Sequence, residues 1–193
     1  MVCIRLFGMN LAVDFTAPAL LALLLLVLPA AAVWLTVSAA FLHECAHLLM
    51  LALLHRRPAM LRLSAAGLRM ETAGTAVIPL RLFAWILLAG PLANLAAGAA
   101  FLAAGLPAAA AANFSLCLFN LLPFRSTDGG SLLFALLEAW LLPHMPELPL
   151  RIMRLAALLT SLLLFCGMHL LRLHNPSLTG MIAFMLLSEF CGQ

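Results

Sequence analysis

Apolar residues run almost unbroken from Leu11 to Leu54. At about 1.5 Å of helical rise per residue, that run is about twice the ~30 Å hydrocarbon thickness of a bilayer, so it needs two helices. Pro29, followed by small residues, is the break, which predicts antiparallel spans over residues 11–28 and 31–54. From residue 55 to 80 the pattern changes, with Arg56, Arg57, Arg62, Arg69 and Glu71 set between apolar positions. Leu61 and Leu63, then Leu68 and Met70, alternate with polar residues around Ala65, Ala66 and Gly67, which predicts a small amphipathic hairpin at the surface. Four further apolar runs, over residues 82–104, 108–122, 131–142 and 151–173, predict four more spans. Residues 178–190 are too short to cross, and read as interfacial or re-entrant with Glu189 near solvent. The expected fold is therefore an all-α polytopic membrane protein, with about six transmembrane helices and a hairpin between the second and third.

Composition strengthens this reading. Hydrophobic residues make up 66% of the 193 positions, charged residues 9%, and mean hydropathy is +1.16, which argues against a water-soluble globule. The expectation is a single membrane domain over residues 1–193, with no PDZ-like, nucleotide-binding or other soluble accessory module. The run from Leu11 is too long for a secretory signal and leads directly into another span, so it should remain as an anchor. All ten basic residues are Arg, and the net charge of +3 comes from scattered positions, so nucleic acid is not an expected partner. The five cysteines show no Cys-x-x-Cys spacing and imply no disulfide framework.

Candidate chemistry begins at Phe41 to Met50, FLHECAHLLM, where His43, Glu44 and His47 interrupt the second span. At about 100° per helical residue, the two histidines lie about 40° apart on one face and can share one zinc ion. Glu44 then stands beside the metal, where a carboxylate can take a proton from activated water, which is the mechanical content of His-Glu-x-x-His. His43 falls about 16 Å from the far end of its helix, inside the membrane. With 6 His in the chain, the pattern would arise by chance in about one such chain in two hundred. An ionisable group at the centre of a membrane helix also costs about 2.5 to 3.5 kcal/mol, which makes it a functional hypothesis by default. Cys45 points about 160 to 200° away from the histidines and is expected to pack.

A second stretch, NLLPFRSTDGG at residues 120–130, carries Pro123, Gly129 and Gly130, which break the helix between two spans. Irregular backbone at membrane depth is tolerated only where it is buried in protein or lines a polar cavity. Asp128, at the start of the next apolar run, could serve either as a third zinc ligand or as a helix N-cap. Within the third span Gly90 and Pro91 permit a kink or close packing, and Asn94 should seek a partner on another helix. His169 and His174 read as interfacial.

Arginine placement offers an independent test. In six spans Arg5, the hairpin arginines, Arg125 and Arg172 fall on one side, and only Arg151 and Arg154 on the other. The Arg-rich side should be cytoplasmic. That puts the half-helix bearing His43 and His47 and the break bearing Asp128 in the same inner leaflet.

HECAH at His43 to His47, together with NLLPFRSTDG at Asn120 to Gly129, resembles the paired motifs of the site-2 protease family of intramembrane zinc metalloproteases. GPLAN at Gly90 to Asn94 is similar to a weaker family feature. The resemblance implies zinc held by His43, His47 and Asp128, with Glu44 as general base and Asn120 near the active site. It implies a transmembrane or membrane-bound protein substrate cut near the inner leaflet of a bacterial cell membrane, in regulated intramembrane proteolysis with a regulatory membrane protein. Ser126 stands where the family often has a second Pro, and the compact form looks most like the sporulation-type branch. The hairpin could offer an edge to an extended substrate strand. Two rival classes are a non-catalytic zinc-binding membrane protein and a metal or ion transporter. A base beside the metal is useful to neither of these.

Overall fold

The computed structural model describes residues 2–6, 9–13, 16–54, 58–64, 67–72, 78–141, 145–172 and 176–191, with side chains for residues 19, 21–22, 24–54, 78–141, 145–172 and 178–190. His55, His144, His174 and the amphipathic facing of the expected hairpin lie outside these. Chain packing separates Met1–Leu116 from Cys117–Gln193.

In the first unit, strands β1 (Val2–Leu6) and β2 (Met9–Val13) precede helices α1 (Thr16–Val27) and α2 (Ala30–Leu53). Strands β3 (Pro58–Ser64) and β4 (Gly67–Thr72) follow, then α3 (Leu80–Ala103) and α4 (Pro107–Asn120), the last of which runs across the division. The four strands form one sheet in the order β1-β2-β3-β4. Its outer pairs are antiparallel, while β2 and β3 are parallel, with Leu11 opposite Leu61 and Val13 opposite Leu63. This corrects the expected first span: residues 11–13 belong to β2, and α1 has only 12 residues. Hydropathy did not show this, because Leu11 to Val13 are held as strand by pairing, with β1 just before them and with β3 about fifty residues further along the chain.

Helices α2 and α3 have 24 residues each and α6 (Leu148–Leu170) has 23. These three are long and apolar enough to cross a membrane, which makes the chain an integral membrane protein. Helices α1, α4 and α5 (Asp128–Leu141) have 12, 14 and 14 residues, or about 18 to 21 Å, short of the hydrocarbon thickness. The turn after α3 closes with Gly105 at φ 73°, where its N–H reaches the Leu102 carbonyl and the Leu106 N–H reaches Phe101. A Cβ would be strained there.

The second unit is built around Phe124, fully buried in the break between α4 and α5. It packs with Ala157 of α6 and Met185 of α7 (Pro176–Cys191). On α7, Ile182, Met185 and Glu189 are all buried, spaced i, i+3, i+7 along one stripe. Glu189 is only 3% exposed, which overturns its expected place near solvent. Replacing Phe124 by Ala would empty the centre of this unit, at a cost of about 3 to 5 kcal/mol. A clear fall in the thermal unfolding midpoint of the detergent-solubilised protein, with a smaller fall for Phe124→Leu, is the expected measurement.

Candidate metal centre

Helix α2 carries His43 and His47 on its buried face, with Val33, Ala39 and Leu51 above and below. The two rings meet edge to face, centroids 4.6 Å apart and planes at 81°. Each ring is oriented by α3. His43 Nδ1 lies 2.7 Å from Asn94 Oδ1, and His47 Nδ1 lies 2.6 Å from the Ile86 carbonyl.

The proton positions follow from the partners. A carbonyl can only accept, so His47 Nδ1 carries the hydrogen. Asn94 donates from Nδ2 to the Ala39 carbonyl at 3.0 Å and to Asn113 Oδ1 at 2.9 Å, which fixes its amide and leaves Oδ1 facing His43. His43 Nδ1 must therefore donate as well. Both Nε2 atoms are then lone-pair donors to a metal, and they face one another at 3.0 Å. Two nitrogens so placed can share one cation.

Gly90 lets α3 come close to both rings. A Cβ there would lie 2.4 Å from His47 Nε2 and 2.6 Å from His43 Nε2, so any side chain at this position would press on both nitrogens. Pro91, inside α3, has no N–H for the Leu87 carbonyl, which loosens the helix beside the Ile86 carbonyl that holds His47. The GPLAN stretch thus supplies the close approach and the His43 acceptor from one helical turn. The donor set, two imidazole nitrogens, fits zinc.

Asn94 is fully buried and bridges three helices, having found the partners its position demanded. Asn113 was not singled out by the sequence. It is buried on α4, passes its own Nδ2 hydrogen to the Ala109 carbonyl, and anchors the far side of Asn94. Its only signal was a lone amide in the alanine run AAAAAN. Glu44 follows His43 on α2 and is half-buried, as is Cys45.

Asp128 is the first residue of α5 and is half-buried. The capping role belongs to its neighbour: Thr127 Oγ1 accepts the Gly130 N–H at 3.3 Å, the usual N-cap to third-residue bond. The Thr127 hydroxyl reaches back into the break, 2.5 Å from the Leu122 carbonyl and 2.8 Å from the Phe124 carbonyl, either of which can accept its proton. Gly130 is needed for that fold-back, since a Cβ would collide with the Phe124 carbonyl. Asp128 is therefore not the N-cap that its position allowed. Asn120 ends α4 and is half-buried.

No family profile matches the chain, and no curated protein matches it in sequence. Among solved structures, the Site-2 Protease from Methanocaldococcus jannaschii superposes with a TM-score of 0.68 at 20% identity, over 97% of this chain and 94% of that one. The chain has that fold, the one its two motifs suggested. The likeness carries no information about a sporulation-type branch.

Two substitutions test the geometry. Gly90→Ala should abolish zinc retention by the purified protein, as measured by elemental analysis. Asn94→Leu, which strips the acceptor from His43, should weaken zinc affinity by about 10- to 100-fold.

Proposed function

We propose that the protein is an intramembrane zinc endopeptidase of the site-2 protease family, cutting a transmembrane or membrane-bound protein near the cytoplasmic leaflet. The observation that carries this reading is the pair of imidazole Nε2 atoms turned toward one another, next in sequence to Glu44, inside a helix apolar enough to span a bilayer. In this reading His43, His47 and Asp128 are the three protein ligands that a catalytic zinc takes, leaving a further position open.

Zinc, when bound, polarises the scissile carbonyl and lowers the pKa of water at neutral pH. Glu44 accepts the proton as water attacks, then returns it to the departing amine. Asn94 and the Ile86 carbonyl keep both rings in the ligating tautomer throughout. Asn120, at the end of α4, binds the substrate strand or its developing oxyanion. The substrate helix must unwind, because an intact helix shields its carbonyls. Strand β4 is at the edge of the sheet and offers backbone groups to such an extended segment. Helices α1, α4 and α5 complete a six-span arrangement by tilting or starting within the bilayer.

Glu44→Gln should retain zinc yet lose cleavage of a co-expressed membrane substrate by at least about a hundredfold. Proteolysis that survived this change would defeat the mechanism. Asp128→Ala should lose zinc and cleavage together. A binding or transport protein would instead keep its full metal-dependent behaviour in the Glu44→Gln form. Deleting residues 62–69 without loss of cleavage would remove the strand-addition element alone.

A further inference from the structure

The broken segment between α4 and α5 has no helical ladder to satisfy its backbone, so each of its N–H groups needs its own acceptor. Most find one locally: Leu122 N–H on the Phe119 carbonyl, Phe124 N–H on Leu122, Thr127 N–H on Phe124. Arg125 is the exception, since its N–H donates to Glu189 Oε2 at 3.0 Å, 64 residues further along the chain on α7. The rest of Arg125 is held as well. Its carbonyl accepts the Ser131 hydroxyl at 3.0 Å, and its guanidinium lies over the Phe134 ring, 4.6 Å from the centroid.

Glu189 is an odd choice for a buried helical stripe otherwise made of Ile182 and Met185. A carboxylate is costly there, and an apolar side chain would fill the same space. It bonds to the break from α7, with Phe124 packed against the same helix one turn earlier at Met185. Only Ser126 and Thr127 separate Arg125 from Asp128, so whatever fixes the Arg125 backbone also fixes where α5 begins.

We propose that Glu189 is a positioning residue: its carboxylate, delivered by the C-terminal helix, clamps the backbone of the break at Arg125 and so sets the start of α5 that carries Asp128. The clamp is a property of this unit alone. Its effect on catalysis rests on the metalloprotease reading.

Hydrogen exchange of the full-length protein in detergent micelles tests the clamp without reference to activity. In Glu189→Gln the amide oxygen still accepts the Arg125 N–H, and exchange over residues 121–127 should stay within about twofold of the parent. In Glu189→Asp the charge is kept but the side chain is one methylene short, and exchange there should rise about tenfold or more while α2 and α3 are unchanged. Cleavage should follow the same order, with kcat falling in the Asp variant, KM nearly constant, and activity recovered in the Gln variant. Unchanged exchange in Glu189→Asp, or equal acceleration in both variants, overturns the proposal. If the Asp variant also opens α6 and α7, Glu189→Gln decides alone: retained protection supports the hydrogen bond and lost protection overturns it. Should the exchange pattern hold while the Glu44→Gln protein still cleaves, the clamp stands and the protease reading fails.

Discussion

Two imidazole nitrogens facing each other at 3.0 Å, each with its lone pair turned inward, are the constraint on which the first unit depends. Neither ring can move its proton to Nε2 without losing its acceptor, because Asn94 Oδ1 and the Ile86 carbonyl accept from the opposite nitrogens. The close approach of α3 that supplies both acceptors exists because residue 90 lacks a side chain. The polar groups buried between α2 and α3 thus fix the orientation of two rings rather than merely filling space.

The second unit solves a different problem. A helix whose start is buried must satisfy its first N–H groups, and α5 does so with Thr127, the fold-back at Gly130 and a tightly buried Phe124. That arrangement takes the capping duty away from the carboxylate next door. The break is therefore as fully specified as a regular element, although it has no repeating hydrogen-bond pattern.

Much of this was legible in the sequence, and the reasons differ by feature. Helices α2, α3 and α6 are each announced by a long apolar run with breakers at its ends, and their limits lie within three residues of the expected ones. His43 and His47 were legible because helical spacing alone puts them on one face. The need of Asn94 for a partner was legible too, since an amide in hydrocarbon has no other option. What the sequence could not show was set by distant chain. Leu11 to Val13 lie between β1 and the distant Leu61 to Leu63, Asn113 gained meaning only from Asn94, and Glu189 turned inward to meet Arg125. An apolar stripe interrupted by one Glu near a chain end reads equally well as a frayed, wetted helix.

The parallel register between β2 and β3 has a bearing on biogenesis. Asn10 cannot meet Met60 until the ribosome has delivered the intervening fifty residues, including both α1 and α2. Loop closure of that length is slow compared with local hairpin formation, and during translation at about 5 to 20 residues per second the leading strand waits for several seconds with its edge uncovered. Insertion of the His-bearing helix thus comes before completion of the sheet.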